Sequence, residues 1–204
     1  MPMLLTWKPT MTTQADDRAA SLPTRTLAAL FGVLLAGTAA ASCDLSLGLA
    51  EADLGRIVPA EVNPQHRTQG EISLGKQMGT LNIICSVPTK LEVYFRAPAV
   101  DARSYRVDLG GGREEARLGV ALSHANADGR PVSLASVQHP DRQGNAQPLS
   151  PGDGLRPLVD GADAAIQRFS AQVEIEVSAP ASALRANVDL QLQGQGHFEA
   201  VERP

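Results

Sequence analysis

The chain has 204 residues, enough for one domain plus processing segments, with 43% hydrophobic and 20% charged residues; that balance excludes wholesale disorder. Aromatic residues make up only 3%, so the core must be built from Leu, Val, Ile and Ala, and the composition argues against a surface that stacks nucleic-acid bases on rings. A net charge of −4 with scattered Lys and Arg argues against nucleic acid in the same direction.

The first element is a targeting signal. Arg18 and Arg25 precede the apolar run LAALFGVLLA, whose core residues are Leu27, Leu30, Phe31, Val33, Leu34 and Leu35, and small residues follow to Ala41. That is the order of a secretory signal peptide. The run is too short for a stable transmembrane span, which needs roughly 20 residues. Residues 1–41 are therefore expected to be removed, leaving a domain of residues 42–204 that begins next to Cys43. Two fates for Cys43 are open: lipidation, for which Ala40 and Ser42 give a loose lipobox, or pairing with Cys85, the only other cysteine, in an oxidising compartment.

Alternation of period two then marks the strands. Cys43, Leu45, Leu47 and Leu49 alternate with Asp44, Ser46 and Gly48; Leu81, Ile83, Cys85 and Val87 alternate with polar or outward neighbours. Both cysteines thus fall on the apolar faces of their strands, where a bridge is open to them if the strands are neighbours or face each other, and this pattern favours the Cys43–Cys85 pairing. Further runs are Leu91, Val93, Phe95; Leu118, Val120, Leu122; Val132, Leu134; Phe169 to Val177; and Val188, Leu190, Leu192. Turn signals punctuate them at Val87-Pro88-Thr89, Asp108 to Gly112, Asp128-Gly129, Pro151 to Gly154 and Ala179-Pro180, and the polar stretch Gln138 to Pro151 reads as a mobile loop. This pattern predicts an all-β fold, an antiparallel sandwich of immunoglobulin-like topology.

No residue set implies catalysis, a metal or a cofactor. His66, His124, His139 and His197 lie apart without metal-ligand spacing, and Gly110-Gly111-Gly112 lacks the Lys and Ser/Thr of a phosphate loop. Asp101, Asp108, Asp128, Asp153, Asp160 and Asp163 sit in turn-rich stretches, where Asp128-Gly129 is a hairpin signal. The chain is read as a non-enzyme.

Specific segments resemble a known family. CDLSLGLAEADLGRIVPAEVNP from Cys43 to Pro64, LNIICSVPTKLEVYF from Leu81 to Phe95, LGVALSHANADGRPV from Leu118 to Val132 and RFSAQVEIEV from Arg168 to Val177 together resemble the fimbrial-subunit-related secreted proteins of Gram-negative bacteria, the β-fimbria probable major subunit type. The resemblance implies a pilin-type immunoglobulin-like sandwich, a periplasmic or cell-surface location in a fimbrium, and a structural or adhesive role. Its implied partners are a periplasmic chaperone, an usher or another fimbrial subunit, meeting the chain by strand addition at a sheet edge. Cleavage near Ala41 would leave no donor arm before Cys43, and the sequence ends HFEAVERP, with Phe198 the nearest aromatic. Two roles follow: a strand acceptor, or a self-contained periplasmic or lipid-anchored binding protein whose strand from Val188 to Glu199 completes its own sheet.

Overall fold

The computed structural model describes residues 42–48, 67–68, 70–109, 115–182, 192 and 194–203. The expected signal peptide, with Leu27, Leu30, Phe31, Val33, Leu34 and Leu35, lies outside these residues, as do Leu49, His66, the triple glycine and the run Val188 to Leu190.

The chain is all-β, and no helix occurs among the described residues. In order the strands are β1 (Cys43–Leu47), β2 (Arg67–Thr68), β3 (Glu71–Arg96), β4 (Tyr105–Asp108), β5 (Glu115–Ala127), β6 (Arg130–Pro131) and β7 (Ser133–Ser136). They continue with β8 (Gln143–Gly144), β9 (Ala146–Pro148), β10 (Gly154–Val159), β11 (Ala162–Asp163), β12 (Ile166–Pro180) and β13 (His197–Arg203). Among the described residues every strand pairing is antiparallel.

The long strand β3 organises the molecule. Its first half pairs with β12 from Glu71 to Ile84, and β12 pairs on its other side with β5, which pairs with β4. Its second half belongs to another layer, with β13 along Lys90 to Arg96 and β10 at Val93 and Tyr94, followed by β7 and β8. The strand changes layer where Cys85 to Pro88 bulge out of the β12 register: Arg168 faces Ile84, yet Ile166 already faces Thr89. A bulge of this kind bends a strand and raises its twist. The residues predicted as a turn, Val87-Pro88-Thr89, are thus a corner within one strand and not a break between two.

The curled sheet closes on one core. Leu81, Ile83 and Cys85 from the first half of β3 join Leu91, Val93 and Phe95 from the second, with Leu118, Val120, Leu122, Val173, Ile175, Leu134 and Leu155. Each such buried aliphatic or aromatic side chain is worth about 1.5–3 kcal/mol.

Two hairpins use the same chemistry. Asp128 (φ 48°) with Gly129 (φ 80°) joins β5 to β6, and Asp160 (φ 50°) with Gly161 (φ 79°) joins β10 to β11. Both central residues are left-handed, the conformation that Asp-Gly supplies at low cost. A bulge at His124 (φ 50°) shifts the inward face of β5 from even residues, ending at Leu122, to odd ones, Ala125 and Ala127. The stretch Gln138 to Pro151, expected to be a mobile loop, instead contributes β8 and β9 and buries Leu149. Ala179-Pro180, expected to be a turn, ends β12 inside the sheet.

Candidate functional site on the flank of β3

On the flank of β3 facing away from β12 lie β2, β1 and β13. Strand β1 pairs Cys43 with Cys85 through to Leu47 with Leu81, and β13 pairs Arg203 with Lys90 through to His197 with Arg96. The two strands touch, so they run in line along this flank. Among the described residues each pairs with β3 alone. Their side chains are mostly half-buried: Cys43, Leu45 and Leu47 lean on the core while Asp44 and Ser46 are exposed, and along β13 only Phe198 is buried.

The cysteines form a disulfide, with a Cα–Cα distance of 4.0 Å. The pairing expected from their inward positions holds, and neither thiol is free. The Ser86 amide donates to the Ser42 carbonyl at 2.9 Å and the Gly48 amide to the Thr80 carbonyl at 2.7 Å, so backbone bonds bracket the bridge and close β1 at both ends.

Strand β13 is anchored at both ends. Near its start, Phe198 packs on Phe95 with ring centroids 5.0 Å apart, and Phe95 meets Tyr105 edge-on at 4.8 Å. The Tyr105 hydroxyl donates to the Phe95 carbonyl at 3.1 Å, and burial pushes its pKa up to about 12. Gly196 is required here, because a Cβ at that position would sit 2.4 Å from Cζ of Phe95. Near its end, the Arg203 guanidinium contacts Glu92 at 3.0 Å and Asp163 at 3.2 Å. Glu92 is 8% exposed, and its carboxylate also accepts the Tyr94 hydroxyl at 2.7 Å. Burial first, then the hydrogen bond to Glu92, pushes the Tyr94 pKa up to about 12. Arg96 lies over the Tyr94 ring at 4.3 Å and pairs with Glu199 at 2.7 Å.

The polar residues singled out in the sequence hold turns. Asp128 accepts from the Gln167 amide at 3.1 Å and the Arg168 amide at 2.8 Å, tying the β5–β6 hairpin to the start of β12. Asp101 accepts from the amides of Arg103 and Ser104, which hold its carboxyl below the usual range. Asp153 accepts from the Ser136 hydroxyl at 2.6 Å and from the amides of Gln138 and Gly154. Ser136 in turn accepts the His139 amide at 2.8 Å. Serine, aspartate and histidine meet here, but the hydroxyl donates to a carboxylate and the histidine takes part through its backbone, which locks a turn and activates no nucleophile. His124 in β5, His139 between β7 and β8 and His197 in β13 are exposed and lie on separate parts of the chain. Among the described residues no group of three or more His, Cys, Asp and Glu is placed to hold a metal ion, and no helix is long and apolar enough to cross a membrane.

The chain matches no family model, no curated protein and no solved structure.

Sequence reasoning set the last strand at Val188 to Glu199, which overlaps β13 only at His197 to Glu199, and missed its continuation to Arg203 and the Glu92–Arg203 pair. Only Phe198 and Ala200 hint at alternation in HFEAVER, and the apolar run at Val188 to Leu192 drew the last strand upstream. Leu192 is buried but lies outside any strand.

Proposed function

We propose that the chain is an exported, fimbria-related module, structural or adhesive and without catalysis, that accepts a strand from a periplasmic chaperone or another fimbrial subunit. The observation that carries this reading is the flank of β3, where two short half-buried strands lie in line and one is locked by a disulfide to the sheet. Strand addition needs a sheet edge and alternate side chains to fill what lies beside it. The signal pattern before Cys43 and a disulfide suited to an oxidising compartment support a periplasmic or cell-surface location.

A second reading, a self-contained periplasmic or lipid-anchored binding protein of the same fold, is favoured by β13, which pairs with β3 at every residue from His197 to Arg203. The readings separate on the mature chain expressed alone in a bacterial periplasm. The strand-acceptor reading expects poor folding or oligomers that a co-expressed chaperone or an added donor peptide rescues into a defined complex. A folded monomer indifferent to both would overturn it in favour of the second.

A further inference from the structure

Strand β1 depends on its bridge far more than the rest of the sheet does. It has five residues, its apolar side chains are only half-buried, and among the described residues its sole pairing is to β3. By contrast, β3 is held to β12 from Glu71 to Ile84 on the opposite flank. Leu81 and Ile83, which face Leu47 and Leu45 of β1 in register, also pack into a core to which β5, β10 and β12 contribute. Short strands at an edge, with few buried contacts, are the parts of a fold that open locally at least cost.

We propose that the Cys43–Cys85 bridge is a redox latch for β1 alone: reduction releases this strand and uncovers the flank of β3 from Thr80 to Ser86, while the remaining sheet stays folded. The two sulfurs differ in access, since Cys85 is 1% exposed and Cys43 is half-buried at the start of the edge strand. A thiolate of an external dithiol therefore attacks Sγ of Cys43. The S–S bond breaks, a mixed disulfide forms on Cys43, and Cys85 leaves as a thiolate that takes up a proton. The second thiol of the reductant then displaces Cys43, giving two protein thiols and one oxidised dithiol, a two-electron exchange. Freed of its covalent tie, β1 is held among the described residues by non-covalent contacts alone: the five-residue ladder, the bonds from Gly48 to Thr80 and from Ser86 to Ser42, its contact with β13 and the packing of Leu45 and Leu47 on the core. The uncovered edge is a row of unpaired backbone groups, the kind of surface that another strand can join.

Hydrogen–deuterium exchange read by mass spectrometry tests this on the full mature chain, oxidised and in dithiothreitol. The expected result is that the amides of Asp44, Ser46 and Gly48, which the register turns toward β3, exchange about 10³-fold faster once reduced, the equilibrium factor that a bridge of this loop length represents, while the paired amides of Phe169–Val177 of β12 keep their protection. The variant carrying Cys43→Ala and Cys85→Ala should show the same pattern without reductant. Loss of protection in β12 in step with β1, or a doubly substituted chain that does not fold, would make the bridge a fastener of the whole sheet and overturn the proposal. Continued protection of β1 after reduction would overturn it from the other side.

Discussion

Replacing both bridge cysteines, Cys43→Ala together with Cys85→Ala, removes a cross-link between residues 42 positions apart. In the chain-entropy description a closed loop of that size restricts the unfolded chain by about 4 kcal/mol at room temperature. Release of β1 in the unbridged protein returns part of that entropy to the folded side, so the net loss falls to about 2–4 kcal/mol. With a urea dependence of about 2 kcal/mol per molar for a domain of this size, the midpoint of unfolding should fall by about 1–2 M. Single serine variants refine the test. Cys85→Ser places a hydroxyl at a site 1% exposed, whereas Cys43→Ser places one at a half-buried site, so the former should be the less stable by about 1–3 kcal/mol, the cost of an unpaired buried polar group. Equal midpoints for the bridged and unbridged proteins would refute the reasoning.

Three further outcomes follow from the anchoring of β13 and from the phenols of buried Tyr105 and half-buried Tyr94. Gly196→Ala should lower stability by about 1–3 kcal/mol, the range for overpacking, because the new methyl group would meet the Phe95 ring at 2.4 Å; an unchanged thermal midpoint would show that this approach relaxes freely. Arg203→Ala leaves the buried Glu92 carboxylate without its nearest cation and should cost about 1–3 kcal/mol, with Glu92→Gln milder because its carbonyl still accepts the Tyr94 hydroxyl; equal losses would dismiss the unpaired charge as the cause. Tyr94 and Tyr105, the only tyrosines in the chain, have folded-state pKa values raised to about 12. Their contribution to stability is complete below the unfolded value near pH 10 and is lost as pH rises from there through about 12; an ultraviolet titration should show little phenolate until about pH 11, and a full step near pH 10 in folded protein would contradict the burial.

Much of the sheet is legible in the sequence because half-buried strands write their burial as alternation. Leu81, Ile83 and Cys85 in β3, Leu118, Val120 and Leu122 in β5, and Phe169 to Val177 in β12 all face the core as the alternation requires. The bridge is legible for the same reason, since both cysteines occupy inward positions opposite each other. Reading fails where geometry absorbs a local signal. Pro88 suggests a break, yet a bulge lets β3 pass through it into the second layer. Leu155, Pro157 and Leu158 in β10 show neither clean alternation nor strand composition, and Pro157 is tolerated because β10 pairs with β3 only at Gly154 and Leu155. The flank of β3 as a site was invisible, because it depends on where β1 and β13 dock and not on any motif.

The proposed module is exported, and its first strand, locked by the Cys43–Cys85 disulfide, is proposed to follow a removed leader directly. The intact mass of the protein from a periplasmic extract, taken without reduction and again after reduction and thiol alkylation, tests it most directly. The expected chain begins within one to three residues of Cys43 and carries no lipid, with no thiol that alkylates before reduction and two that alkylate after it. A diacylglycerol mass on Cys43 with Cys85 free, or a chain that retains the apolar run from Leu27 to Ala36, would contradict it.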